Sequence, residues 1–225
     1  MDLIVSLFRA LANELRLRMF ATVHARPGIT VSDLGVQLGV PDFLISQHLR
    51  VLADMGLLDA RPSGRFVHVH PPPATSVRSG LVSSVSQCLA PLLVADRDGN
   101  LTPDQVWDSG QHPTCDAAPS VFARLIFLFT AYTHLRRLLL LRCLAQKGPT
   151  PRDTLTEEIG MSSAAAARQL SKLERRGLVT RTQGTGGTWE LVASPGTPAQ
   201  QALHCLVMDV LVPAPQERNL TPGQV

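Results

Sequence analysis

The chain contains one long internal repeat, and this repeat constrains the fold more than any other feature. An offset of 121 positions sets Leu7 and Phe8 on Leu128 and Phe129. Most matched positions are apolar or glycine, the residue types that cores and tight turns require. A period of this length indicates two domains and not a solenoid, whose units are roughly 20–50 residues long. Further matches pair Ala10, Arg16, Leu17, Leu34, Gly39, Leu49, Leu52, Gly56 and Leu57 with Ala131, Arg137, Leu138, Leu155, Gly160, Leu170, Leu173, Gly177 and Leu178.

Composition supports two small cores in a chain that does not cross a membrane. Apolar residues make up 44% of the 225 residues but aromatic residues only 4%, so aliphatic side chains must build the cores. No apolar run reaches the roughly 18 residues of a membrane span, and no basic segment typical of a signal peptide precedes the first apolar residues. We therefore expect a soluble, cytoplasmic protein. The four cysteines form neither a disulfide framework nor a paired C-x-x-C zinc spacing.

The positive charge is concentrated in the second copy. The whole chain has a net charge of +3, whereas residues 122–193 alone carry 11 basic and 5 acidic side chains. Arginine predominates, with lysine only at Lys147 and Lys172, and its planar guanidinium suits bidentate contacts to phosphate and guanine. Since phosphate neutralisation dominates the free energy of DNA association, the second copy is the stronger candidate for a DNA-facing surface.

Local signals in the first copy predict four helices, a two-stranded hairpin and a further helix. Thr30 and Asp33 form a capping box, in which a threonine hydroxyl is followed three residues later by an acid. Gly39 suits the left-handed turn after a helix, and Pro41 suits the first turn of the next one. The predicted helices cover residues 3–12, 14–25, 30–38, 41–55 and 74–94, and the strands cover 58–61 and 66–70 around a turn at 62–64.

The second copy repeats this order. Thr150 and Asp153 are expected to cap its third helix, one residue earlier than in the first copy. Its hairpin, or wing, is two residues longer and contains three glycines. The predicted helices cover residues 120–133, 135–146, 162–176 and 199–211, a further helix begins at the cap at 150, and the wing spans 181–189.

The segment between the copies is itself repeated. Residues 100–106, NLTPDQV, nearly recur as residues 219–225, NLTPGQV, which supports duplication of a unit of about 120 residues. The alternative is coincidence in a short turn that contains proline. The predicted organisation is a first winged-helix domain over 1–95, a linker over 96–117 and a second winged-helix domain over 118–225.

The motif ISQHLRVLADMGLL at residues 45–58, followed by a basic wing with a glycine, resembles the ArsR family of winged helix-turn-helix repressors. The resemblance covers about residues 5–70, and AARQLSKLERRGLVTR at residues 166–181 matches more weakly. It implies a DNA-binding repressor that is released by an effector, in a family whose members dimerise through their first and last helices. The predicted fold is therefore mainly α (α+β), with two tandem winged helix-turn-helix domains that form an intramolecular pseudo-dimer.

The fourth helix of each copy, here termed the reading helix, is expected to enter the major groove with its early residues against the bases. Glutamine suits adenine, whereas arginine suits guanine or phosphate. His48 lies towards the apolar side of its helix, so a structural hydrogen bond competes with base reading at that position. For each basic residue, the alternative is a solvated surface charge. The candidate DNA-binding residues are Ser46, Gln47, His48, Arg50, Arg61, Arg65, Ser162, Ser163, Arg168, Gln169, Lys172 and Arg181.

Both reading helices depart from the pattern of the family. The first has Pro41, Phe43 and Leu44 where a polar start is usual, and the second has Ala167 and Gln169 where the family has serine and histidine. Two unlike helices predict an asymmetric or pseudo-palindromic operator, because operator symmetry normally mirrors protein symmetry.

No metal site is expected, since the family's C-V-C-D-L motif is replaced here by residues 30–34, TVSDL, whose hydroxyls are poor ligands for soft metals. Cys143 and Cys205 resemble a pair that senses persulfides in some relatives, and Cys88 is a third candidate thiol. A thiol-reactive species or a metalloid is thus a candidate effector, although free cysteines are often inert core residues.

Three function classes compete. A transcriptional regulator that binds double-stranded DNA, as a monomeric pseudo-dimer or a homodimer, is favoured by the basic second copy. A tandem winged-helix scaffold for protein–protein interaction, with weak or no DNA binding, is the alternative that the departures in the reading helices favour. An enzyme is not expected, because the chain has no GxGxxG after a strand, no GxSxG, no HExxH and no P-loop, and no cofactor is expected either.

Overall fold

A computed structural model describes residues 1–73, 80–97, 120–182 and 187–213 of the chain. We refer to residues 1–97 as the first half and to residues 120–213 as the second half. The described residues are mostly helical with two small antiparallel sheets, as in winged-helix proteins.

The first half has four helices before its hairpin and one after it. The strands form a three-stranded antiparallel sheet in the order β1-β3-β2. Its elements are α1 (Asp2–Leu11), α2 (Glu14–Ala25), β1 (Ile29–Thr30), α3 (Val31–Leu38), α4 (Asp42–Asp54), β2 (Asp59–Ser63), β3 (Phe66–His70) and α5 (Gly80–Arg97).

The second half has the same order of elements. Its sheet follows the order β4-β6-β5, which is equivalent to that of the first sheet. Its elements are α6 (Val121–Phe129), α7 (Leu135–Lys147), β4 (Thr150–Pro151), α8 (Arg152–Ile159), α9 (Ser163–Glu174), β5 (Val179–Arg181), β6 (Thr188–Leu191) and α10 (Pro198–Leu211).

The predicted cap at Thr30 and the turn at Gly39 are confirmed, whereas the cap predicted at Thr150 is wrong. Pro41 was predicted in the first turn of α4 and is instead its N-cap residue. Thr30 accepts a hydrogen bond from the backbone N–H of Asp33, and Gly39 ends α3 with φ of 67°. Thr150 does not cap α8, because Pro151 is the N-cap residue and the Thr150 hydroxyl donates to the Gly148 carbonyl. Pro151 has no side-chain acceptor, so α8 begins without a side-chain cap.

Several predicted boundaries are wrong, and those of the first wing and of α6 differ for identifiable reasons. Strand β2 continues to Ser63, which pairs with Phe66, so the turn of the first wing contains Gly64 and Arg65. Gly64 has φ of 59°, as the first position of a two-residue type II′ turn requires. Helix α6 ends at Phe129 and not at residue 133, and the side chain of Arg137 binds the carbonyl oxygens of Thr130 and Ala131 that follow it.

The buried side chains of both halves form one continuous core. Helix α1 packs against α6, and α5 packs against α10. Phe8 lies between the halves, with its ring centroid 5.5 Å from that of Phe129 and 4.8 Å from that of Tyr132. The Arg9 Nε atom also donates to the Thr133 carbonyl across the same contact, at 3.1 Å. Because these rings are fully buried, separating the halves would expose part of the core.

Several predictions lie outside the described residues. They are most of the linker over 96–117 with Cys115, the repeated segments at 100–106 and 219–225, and the tip of the second wing. Among the residues that the structure does describe, no helix is long and apolar enough to cross a membrane.

Candidate nucleic-acid interface

Helix α4 exposes a polar face because its apolar residues pack into the core on the opposite face. Ile45, Leu49 and Leu52 are buried at a spacing of four and then three residues, which places them on one side of the helix. Ser46, Gln47 and Arg50 occupy other positions and are exposed. The structure therefore leaves three of the predicted DNA-binding side chains of this helix accessible.

Helix α9 is built in the same way. Ala166, Leu170 and Leu173 are buried at positions equivalent to those of α4. Ser163 and Arg168 are exposed, and Lys172 is half-buried. Ser162 is exposed too, but its hydroxyl accepts a hydrogen bond from the backbone N–H of Ala165 and so caps the helix.

His48 in α4 faces a cation from another helix. Its Nδ1 atom lies 3.5 Å from Nη1 of Arg16, whose Nε and Nη2 atoms donate to the carbonyl oxygens of Ala10 and Arg9. Burial and the positive charge of Arg16 lower the pKa of His48, which favours its neutral form. This contact supports the structural alternative for His48.

Gln169 in α9 makes the equivalent contact. Its Oε1 atom accepts a hydrogen bond of 3.0 Å from Nη1 of Arg137, and Nε of Arg137 donates to the Ala131 carbonyl at 2.8 Å. Arg16 and Arg137 were not assigned a role from the sequence, although both are matched positions of the repeat. That match is the signal by which they could have been found.

The wing arginines differ in their surroundings. Arg61 is exposed and forms an ion pair of 2.8 Å with Asp59, which offsets its charge. The guanidinium of Arg65 lies over the Phe66 ring, 4.9 Å from the centroid. Arg181 is exposed beside Gly187, where an added Cβ atom would lie 2.6 Å from Arg181 Nε. The glycine thus leaves room for this guanidinium at the base of the second wing.

The net charge of the second half overstates the charge available to DNA. Arg137 and Arg176 are both buried. Arg176 donates to the Phe127 carbonyl, and burial, followed by the charges of Arg137 and Arg175, lowers its pKa to about 10. These two cations support the fold, whereas the accessible cations of this half include Arg168, Arg175 and Arg181.

The candidate thiols are free and differ in exposure. Cys88 in α5 is half-buried, Cys143 in α7 is buried and Cys205 in α10 is exposed. Burial raises the pKa of Cys88 and of Cys143, which keeps both as less reactive thiols at neutral pH. Helices α7 and α10 contact each other, and the pairing of Cys143 with Cys205 stays a prediction. Within the described ranges, no group of three or more histidine, cysteine, aspartate or glutamate side chains could hold a metal ion.

The first half also exposes large apolar side chains. Val36 on α3 is 84% exposed and Phe43, near the start of α4, is 69% exposed. On the wing, Phe66 and Val67 are partly exposed. Apolar residues of this size at the surface indicate contact with a partner when they form a patch.

One comparison with known proteins finds a match, and it lies in the second half. Residues 134–186 match the model of the MarR family. They extend from the N-cap residue of α7 past the end of β5 and make up less than a quarter of the chain. This match indicates a winged helix-turn-helix and a DNA-binding transcription regulator. The matched family is related to the ArsR family that the first half resembles, and the ArsR resemblance itself stays a prediction. No curated protein and no solved structure matches the chain.

Proposed function

We propose that this chain is a transcriptional repressor that binds an operator with two reading helices, α4 and α9, and that an effector releases. The two halves are winged helix-turn-helix domains of one duplicated chain, and together they form an intramolecular pseudo-dimer. The operator is asymmetric or pseudo-palindromic. The protein acts in the cytoplasm. The protein acts without a cofactor and without catalysis.

The observation that carries this proposal is the accessible polar face on both reading helices. In each helix, three buried apolar residues at equivalent positions leave the opposite face free. Gln47 and Arg50 are accessible on α4, and Arg168 is accessible on α9. Since glutamine and arginine are the side chains that read adenine and guanine in the major groove, these positions support base contacts.

The contacts between the halves support the pseudo-dimer. Helices α1 and α6 are each the first of their half, and α5 and α10 are each the last described. Both pairs pack together, and Phe8 lies fully buried against Phe129 and Tyr132. These pairings are the ones that the resemblance to dimeric repressors implies for a fused dimer.

The unlike side chains of the two helices support an asymmetric operator. Gln47 in α4 is equivalent to Arg168 in α9, and Arg50 is equivalent to Ser171. Because glutamine suits adenine and arginine suits guanine, the two half-sites differ in sequence.

Binding to random duplex DNA at several salt concentrations tests the proposal. We expect log affinity to fall linearly with log salt concentration, because cations on the protein release counterions from phosphate. Replacing a phosphate-contacting cation reduces the slope by about 1. We expect this reduction for the wing variants Arg65→Ala and Arg181→Ala, whose guanidinium groups are exposed. The matched control is Arg18→Ala, which removes an exposed cation of α2 and should leave the slope unchanged. Absence of binding at low salt contradicts the proposal.

The exposed apolar residues of the first half favour a second candidate function. Val36 and Phe43 would suit contact with another protein, as in a tandem winged-helix scaffold. A scaffold predicts that DNA binding is weak or absent at low salt and that binding to the partner protein is lost in Phe43→Ser.

A further inference from the structure

Both reading helices expose an apolar side chain at their second residue. In α4 this residue is Phe43, which is 69% exposed. In α9 it is Ala164, which is also exposed. The two positions are equivalent under the offset of 121, so the same place in both helices is apolar and free of contact with the core.

Among the described residues, the most exposed large apolar side chain of the first half does not share this feature. Val36 is even more exposed, but its equivalent in the second half is Glu157, which is charged. The core does not require Phe43, since Ile45 two residues later fills the buried position of the first turn. An exposed phenylalanine leaves apolar surface in water, and covering it with a ligand recovers free energy.

The neighbouring residues fix the kind of ligand that this position meets. Gln47 and Arg168 lie four residues after Phe43 and Ala164, which places each pair on one face of its helix. The carboxylate of Asp42, the one acidic group at the start of α4, accepts a hydrogen bond of 2.7 Å from the Ser32 hydroxyl. Each apolar side chain thus lies in the first turn of its reading helix, one turn before an exposed side chain of the kind that reads a base edge.

We infer that Phe43 and Ala164 each contact the C5-methyl group of a thymine in the major groove, so that each half-site requires one thymine at a fixed position. The methyl group of thymine is the one apolar group that the four bases present in that groove, and alanine and phenylalanine are residues that contact it. This inference rests on the proposed function. It adds that the half-sites share a thymine and differ at the bases read by Gln47 and Arg168.

Deoxyuridine substitution tests the inference, because it removes the methyl group of thymine and leaves every hydrogen-bonding atom of the base unchanged. The preferred duplex is first selected from a random pool with the full-length chain. Each thymine is then replaced singly by deoxyuridine, and the dissociation constant is measured by fluorescence anisotropy. We expect one thymine in each half-site at which the substitution weakens binding about three- to ten-fold, the effect of burying one methyl group or slightly more. Substitution at other thymines should change affinity less than two-fold.

Two variants assign the sensitive thymines to their side chains. In Phe43→Ser, the deoxyuridine effect should disappear at the sensitive thymine of one half-site and persist at that of the other. In Ala164→Gly, the effect should persist in the first of these half-sites and disappear in the second. Val36→Ser is the matched control, since it removes an exposed apolar residue outside the reading helices and should retain both effects. We expect each variant to fold, because the replaced side chains are exposed, and circular dichroism checks this.

Three results would overturn the inference. The first is a selected duplex in which no thymine is sensitive to deoxyuridine, and the second is a sensitivity that both variants retain. Either leaves DNA binding itself, and so the proposed function, intact. The third is absence of binding to any duplex at low salt, which overturns the proposed function as well.

Discussion

Tyr132 and His204 form a buried polar pair next to the contact between the halves. The Tyr132 hydroxyl lies 3.1 Å from Nδ1 of His204, and the Tyr132 ring packs on Phe8. Burial lowers the pKa of His204 to about 4, from an ordinary value of 6.5. The imidazole is therefore neutral in the folded chain, because a charged ring at this position would lose its hydration.

We predict that His204 makes the fold less stable in acid. The unfolded chain binds a proton at His204 below about pH 6.5, and the folded chain does so only below about pH 4. The contribution of His204 to the free energy of unfolding is complete above pH 6.5. It falls by about 3 kcal/mol as the pH decreases towards 4. Urea unfolding between pH 4 and pH 7 measures it. His204→Asn keeps a polar group near Tyr132 and should flatten the profile, whereas equal slopes in both proteins would contradict the prediction.

At the scale of elements, one arginine connects three segments in each half. Arg137 on α7 binds carbonyl oxygens after the end of α6 and the side chain of Gln169 on α9. Arg16 makes the equivalent bonds between α1, α2 and α4. A cation suits the exposed carbonyls of a helix C-terminus. Each reading helix is therefore joined to the first helix of its half, which also forms the contact between the halves.

We predict that Arg137→Leu destabilises the fold by about 2–4 kcal/mol, because it leaves buried carbonyl oxygens and Gln169 without their donor. Arg16 is only half-buried and lacks an equivalent of the bond that Arg137 also donates to the Thr133 hydroxyl, so Arg16→Leu should cost less, about 1–2 kcal/mol. Chemical denaturation of the two matched variants measures both values. An equal or larger loss in Arg16→Leu would argue against this ordering.

These elements also indicate what could be predicted from the sequence. The cap at Thr30, the turn at Gly39 and the exposed face of α4 were predictable, because each depends on residues within one or two helical turns. The cap at Thr150 was predicted wrongly, since proline at 151 allows the helix to begin one residue later than the motif suggested. The role of Arg137 was not predictable from local pattern, because its partners lie 6 residues before it and 32 residues after it.

For the candidate site, the sequence predicted which side chains are exposed better than it predicted their hydrogen-bond partners. Arg50, Arg168 and Arg181 were expected at the surface and are exposed there. Gln169 was predicted as a base reader and that role stays a prediction, whereas the hydrogen bond that its side-chain oxygen accepts from Arg137 was not foreseen. A side chain at the border of the polar face can turn towards the core or towards solvent, and helical spacing alone does not decide between these two orientations.

At the scale of the whole molecule, the relation between the two halves decides how the two reading helices are spaced. They share one core and pack through α1 against α6 and α5 against α10. Under the proposed function, the fixed relation between α4 and α9 sets a fixed distance between the two half-sites. In dimeric helix-turn-helix proteins this distance is about one helical turn of DNA, or a multiple of it.

Hydroxyl-radical footprinting on the selected duplex, with and without an insertion of about 5 base pairs between the half-sites, tests this claim most directly. We predict that one chain per duplex protects two stretches about 10 base pairs apart or a multiple of that spacing. The insertion should abolish joint protection, since it turns one half-site to the opposite face of the helix. A single protected stretch per chain, or an affinity that the insertion leaves unchanged, would show that the two halves do not bind DNA as one unit.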